Sequence, residues 1–268
     1  MEVLEKSVTG KISPEACEDA VFVSDHFAAV VDGVTSKSDF RYQGKTTGKL
    51  AAEMITDVLA GLSGTENARE IIRKINQKFA RFYEEVPFPY NVREKGLQAV
   101  CVIYSEYFQQ VWMIGDCQAA VDGQEYYNPK KSDVVLSEMR SLALHVAAAE
   151  GSSPLPMGDA RALIEPWLLK STVFANREDS PYGYAVINGE EIPSSLIRVI
   201  PIPEGRHEIV LTSDGYPRAL GTLQASEDYL AEILLKDPGC DEIFLSTKGL
   251  AAGQKSFDDR SYLRLSVC

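Results

Sequence analysis

Histidine, cysteine and positive charge are all scarce in this sequence. Only three of its 268 residues are histidine (His26, His145, His207), no two of them neighbours in the chain, which disfavours a histidine-rich metal site. Five cysteines (Cys17, Cys101, Cys117, Cys240, Cys268) make an odd number without a Cys-x-x-Cys spacing. Neither a zinc site nor a disulfide framework is signalled, and a reduced, cytoplasmic setting is the simplest expectation. Lys and Arg number 27 against 39 Asp and Glu, a formal net charge of −12. Such a chain is poorly suited to nucleic acid, because affinity for phosphate backbones comes largely from Lys and Arg. No apolar run is long enough to cross a bilayer, and residues 1–6 lack the basic-then-apolar start of a secretion signal. The expectation is no nucleic-acid partner and no membrane. Repeats and long linkers are absent too, so residues 1–268 are expected to form one continuous domain.

What the chain does have is blocks of apolar patterning. Strand-like runs cover residues 5–12, 20–23 and 27–31. Two helical stripes follow, Leu50, Ala51, Met54, Ile55, Val58 and Leu59, then Ile71, Ile72, Ile75, Phe79 and Phe82. Further strands are expected at 97–104, 110–114 and 119–121, with Asp122-Gly123 as a turn. Residues 132–177 look like a helical insertion, broken at Pro166 because proline cannot sit inside a helix without disrupting it. The last third alternates strands (184–187, 196–202, 208–212, 261–267) with one helix over 226–236. Strands in blocks separated by paired helices predict an α+β fold with antiparallel sheets covered by helices.

Aspartates recur at the strand ends. Ala28-Ala29-Val30-Val31 runs into Asp32-Gly33, Val111-Trp112-Met113-Ile114 into Gly115-Asp116, and Ile209-Val210-Leu211-Thr212-Ser213 into Asp214-Gly215. Glu18-Asp19 and Asp258-Asp259 stand at strand starts. Any one of these reads as an ordinary turn. Converged, they demand cations, since two carboxylates about 4 Å apart repel by about 4 kcal/mol at an effective dielectric near 20. An all-oxygen donor set points to Mg²⁺ or Mn²⁺. Water held between two such ions becomes a nucleophile for attack on phosphorus.

The ordered set Glu18-Asp19-Ala20, Val30-Val31-Asp32-Gly33, Ile114-Gly115-Asp116, Leu211-Thr212-Ser213-Asp214-Gly215 and Asp258-Asp259-Arg260-Ser261 resembles the metal-dependent Ser/Thr protein phosphatases of type 2C (the PPM family). The resemblance covers nearly the whole chain. It implies two antiparallel β-sheets packed as a central sandwich flanked by helix pairs. It also implies two Mn²⁺ or Mg²⁺ ions with a weaker third, and a phosphorylated protein as substrate. Asp32 would bridge the two metals, joined by the Gly33 carbonyl. Glu18 would ligate one ion, with Asp19 holding its water, and Asp214 and Asp258 would ligate the other. Asp116 with Asp214 would hold the third. Asp32 and Asp214 would thus carry catalysis through a metal-activated water.

The sequence departs from the family pattern in substrate recognition. Ser13-Pro14-Glu15 stands where an arginine usually holds the phosphoryl group, which leaves Lys11 as the nearest cation and Lys37, Arg41 or Lys45 as substitutes. Val34-Thr35-Ser36 follows Asp32-Gly33, without the histidine many members carry. Cys117-Gln118 replaces the Ser-Arg expected after Gly115-Asp116, and the helical stretch 132–177 replaces much of the expected substrate flap. Gly44-Lys45-Thr46-Thr47-Gly48-Lys49 fails as a phosphate loop and is expected to cap a helix at Thr46 or Thr47. His145 is expected to be packed and His207 solvated, with His26 a weak candidate for proton transfer. The leading expectation is a phosphomonoester hydrolase. The alternative is an inactive phosphatase-like module that binds metal or a partner.

Overall fold

The computed structural model describes residues 1–151 and 157–268, and its strands form two antiparallel five-stranded sheets. The first sheet orders β1 (Glu2–Thr9), β10 (Arg260–Val267), β9 (His207–Thr212), β6 (Gln118–Val121) and β7 (Gln124–Tyr126). The second orders β2 (Ala20–Val23), β3 (Phe27–Gly33), β4 (Ala99–Ser105), β5 (Gln110–Ile114) and β8 (Ile197–Pro201). Side-chain alternation sorts the core into layers. On β3, Ala28 and Val30 meet Ile209, Leu211, Leu263 and Leu265 of the other sheet, whereas Phe27, Ala29 and Val31 face helices. Burial on both faces is why the central strands read as continuous apolar runs.

Helices α1 (Thr47–Ala60) and α2 (Ala68–Glu85) cover the second sheet. Thr46 caps α1 by accepting the Lys49 amide at 3.2 Å, as the sequence predicts. Asn67 and Glu70 close a capping box on α2, which stops at Val86 just before Pro87. Ile71, Ile72, Ile75, Phe79 and Phe82 are all buried there, each contributing about 1.5–3 kcal/mol over exposure. A short helix, α3 (Val92–Lys95), leads into β4.

The first sheet is covered on its outer face by α6 (Leu223–Lys236) and by residues 237–257. Leu230, Cys240 and Phe257 pack there with Val210 and Tyr262. The remaining pair, α4 (Lys131–Ala149) and α5 (Met157–Lys170), joins through Leu136, Ile164 and Leu168. It docks through the wholly buried Arg140, which donates to the carbonyls of Gly239 (2.9 Å), Cys240 (3.3 Å) and Ser246 (3.2 Å).

Two expectations need correction. Pro166 lies inside α5 and does not end it, so the helix accepts a cost of about 3 kcal/mol. Residues 184–187 form no strand and pair only through isolated bridges, Ala99 with Ile187 and Ala175 with Tyr184. The Asp122-Gly123 turn is as predicted, with φ +47° and +83° closing the β6–β7 hairpin. Among the described residues no helix is long and apolar enough to cross a membrane.

Candidate functional site

Strand parity carries the carboxylates to one end of the sandwich. Val21, Val23, Ala28 and Val30 face the opposite sheet. Extending the Ala20–Val31 pairing by one step sets Asp19 across from Asp32 on that same face. Asp116 follows β5 through Gly115, whose φ of +92° suits glycine, and a Cβ there would fall 2.2 Å from Val100 Cγ1. Asp214 follows β9, and Asp258 and Asp259 precede β10. A Cβ on Gly33 would lie 2.3 Å from the Gly48 carbonyl oxygen, so chain crossing at the end of β3 requires glycine.

Asp32, Asp116, Asp214 and Asp258 line a cavity of about 780 Å³, together with Lys37. Their side chains are half-buried and open onto it. Desolvation and then the charges of Asp19, Asp214, Asp258 and Asp116 hold the Asp32 carboxyl well above the usual carboxylate range. Asp19 is pushed up to about 8 by desolvation and by Asp258 and Asp259, against a 2.7 Å hydrogen bond from Ser213 Oγ. Desolvation, then Asp116 and Asp258, push Asp214 up to about 7. Asp116 is raised by desolvation and by Asp133. None of these four carboxylates has an ion-pair partner among the described residues.

Asp258 differs. Desolvation would raise it, but the ammonium groups of Lys248 and Lys11 hold it well below the usual range. Lys11 Nζ lies 2.8 Å from Asp258 and 3.6 Å from Asp259, and Lys248 Nζ also bonds Asp258. Asp259 is fixed by backbone amides, Lys11 N–H at 2.8 Å and Glu18 N–H at 3.1 Å. Glu18 accepts from the Thr46 hydroxyl and from the Ser36 amide at 3.4 Å.

Glu18, Asp19 and Gly33 are not among the residues that line the cavity. Among the described residues, no three acidic, histidine or cysteine side chains stand close enough together to hold a metal ion. The donor chemistry nevertheless fits a hard divalent cation. Several like-charged, desolvated oxygen donors without an ion-pair partner destabilise one another until a cation enters.

The candidate cations separate. Lys37 is on the cavity wall, whereas Arg41 donates to the carbonyls of Ser38 (3.3 Å) and Phe40 (2.8 Å), and Lys45 pairs with Glu53 at 2.6 Å. Sequence reasoning missed Lys130, Arg161 and Lys248, which line the same cavity. They come from segments distant in the chain, and no local spacing announces them. His26 sits in the β2–β3 turn, at the opposite end of those strands from Asp32. His207 pairs with Asp122 at 2.6 Å, and His145, against the expectation that it is packed, is exposed and lies 3.9 Å from Asp241.

No protein-family profile matches the chain, and no curated protein sequence does. Solved structures do match over its whole length. The catalytic domain of the serine/threonine protein phosphatase PstP, in complex with two manganese ions, is 16% identical with a TM-score of 0.50, covering 98% of this chain and 97% of that one. Mycobacterium tuberculosis PstP/Ppp is 14% identical with a TM-score of 0.49, covering 100% and 99%. Staphylococcus aureus Stp1 is 17% identical with a TM-score of 0.48, covering 100% and 97%. The structures this chain resembles are bacterial PPM-type Ser/Thr phosphatases, and it shares their fold, as the ordered aspartate motifs predict.

Proposed function

We propose that the chain is a metal-dependent phosphomonoester hydrolase acting on phosphoserine or phosphothreonine in proteins, in a cytoplasmic setting. One observation carries the reading. Asp32, Asp116 and Asp214, desolvated and without an ion-pair partner, line a cavity that Lys37 also lines, so groups suited to a cation and a group suited to an anion share one cavity. The similar structures are named as serine/threonine phosphatases, and one holds two manganese ions.

Bound at these carboxylates, Mn²⁺ or Mg²⁺ supplies Lewis acidity and a water acidic enough to lose its proton near neutral pH. Asp32 and Asp214 would hold that cation, and would have to give up their protons to do so. The finer assignment follows the resemblance. Glu18 and the Gly33 carbonyl would hold one ion, with Asp19 on its water, Asp214 and Asp258 would hold the other, Asp32 would serve both, and Asp116 with Asp214 would hold a weaker third. Asp258, paired here with Lys11 and Lys248, would have to release them to hold an ion. Lys37 draws the phosphoryl group into the cavity. No binding to nucleic acid or membrane is part of this reading.

The second reading is an inactive phosphatase-like binding module, favoured by the two lysines that already neutralise Asp258. Hydrolysis of p-nitrophenyl phosphate with and without millimolar Mn²⁺, beside Asp214→Asn, separates the two. Metal-dependent turnover lost in the variant supports the hydrolase. Metal binding without turnover supports the module, and unchanged turnover in the variant rules out this site.

A further inference from the structure

We infer that Lys37, Lys130 and Arg161 form the wall that holds the substrate's phosphoryl group, with the α4–α5 pair and its N-terminal cap supplying two of the three cations. The inference rests on the hydrolase reading for its ligand, a dianionic phosphate monoester.

All three residues line the cavity that Asp32 and Asp214 line. Lys37 makes no hydrogen bond or ion pair with any described residue. Desolvation and then the charges of Lys130, Arg161 and Lys248 push its ammonium down to about 8, with Asp133 opposing them. A half-buried lysine whose neighbours are mostly positive is held at a cost that an anion removes.

The other two cations are positioned for one. Arg161 spends Nη1 on Thr247, at 2.8 Å to the carbonyl and 3.3 Å to the hydroxyl, and no described residue takes its Nε or Nη2. That free edge is the two-donor face that suits a phosphate. Lys130 is fixed by Asp133 at 3.2 Å and lies 4.3 Å above the Tyr184 ring. Lys248 is not counted with them because its partner, Asp258, is itself one of the carboxylates assigned to a metal ion, whereas Lys130's partner, Asp133, is not. The arrangement accounts for Ser13-Pro14-Glu15 lacking an arginine. The cation task has moved to the loop after β3 and to the helical pair.

The test is calorimetric titration of inorganic phosphate into the 268-residue chain with Mn²⁺ present. The parent is expected to bind phosphate saturably. Lys37→Met and Arg161→Met are each expected to weaken it by about tenfold or more, with Mn²⁺ affinity unchanged and Arg161→Lys intermediate. Lys37→Met removes no hydrogen bond and relieves a disfavoured charge, so it should melt no lower than the parent. Unchanged phosphate affinity in Lys37→Met, or no saturable binding by the parent, overturns the inference. Asp32→Asn, titrated with Mn²⁺ alone, tests the hydrolase reading separately. Full Mn²⁺ affinity in that variant defeats the metal site while the phosphate wall is judged on its own variants.

Discussion

Replacing Asp214 by Asn should stabilise the metal-free protein, and by more as the pH rises. Desolvation and the charges of Asp116 and Asp258 push this carboxyl from 3.8 up to about 7 in the folded chain. A folded value above the unfolded one favours the protonated native state. That contribution is fully present below about pH 4 and is lost as the pH climbs through 7. At about 1.36 kcal/mol per pH unit, the ionisation penalty is about 1.5 kcal/mol at pH 5 and about 4 kcal/mol at pH 7.5. Asn is neutral throughout, so the variant's advantage should grow by about 2.5 kcal/mol between those conditions. For a chain of this size, 1 kcal/mol moves Tm by about 2–4 °C, giving an increment of about 5–10 °C. Melting curves of parent and variant in EDTA from pH 5 to 8 measure it. A difference independent of pH, or a variant melting below the parent at pH 7.5, refutes the reasoning. Added Mn²⁺ should then raise the parent's Tm more than the variant's, because only the parent keeps every ligand.

Two further changes probe the scaffold. Arg140→Met should cost about 3 kcal/mol in urea unfolding, because it strands the carbonyls of Gly239, Cys240 and Ser246. Limited proteolysis should then cut first within 237–257, and equal cutting in parent and variant would show that this arginine does not pin the segment. Gly115→Ala should cost more than about 2 kcal/mol, since the φ of +92° and the 2.2 Å approach to Val100 both exclude a Cβ. An unchanged urea midpoint would contradict that geometry.

The sandwich was legible in the sequence wherever burial on both faces writes an unbroken apolar run, as at Ala28-Ala29-Val30-Val31. The capping of α1 at Thr46 and the stop of α2 before Pro87 were legible for equally local reasons. Residues 184–187 misled because Ala185, Val186 and Ile187 are buried by neighbouring layers without joining a ladder. Apolarity marks burial, and burial does not require a strand. Pro166 misled because its local cost is outweighed by tertiary contacts of α5, with Ile164 and Leu168 buried on either side of it. The aspartates were legible because each lies at a strand end or within two residues of one. The cations were not, since Lys130, Arg161 and Lys248 reach one cavity from three separate segments.

That asymmetry follows from how the two walls are built. Parity along the strands points Asp19 and Asp32 into the space between the sheets, so the acidic wall is a property of the sandwich itself. The cationic wall comes from a loop and a helical pair laid over its open end, elements whose position depends on contacts such as that of Arg140 with the 239–246 carbonyls. A chain carrying a formal charge of −12 can thus present a locally positive surface to phosphate. Its acidic groups at this end are desolvated and favour their protons. Lys11 and Lys248 keep Asp258 ionised beside three carboxylates that resist ionisation, so the cluster offers a cation one charged ligand at once and the others only as protons leave. On the proposed hydrolase reading, metal uptake and proton release would be coupled by the same desolvation that makes the carboxylates visible as a candidate site.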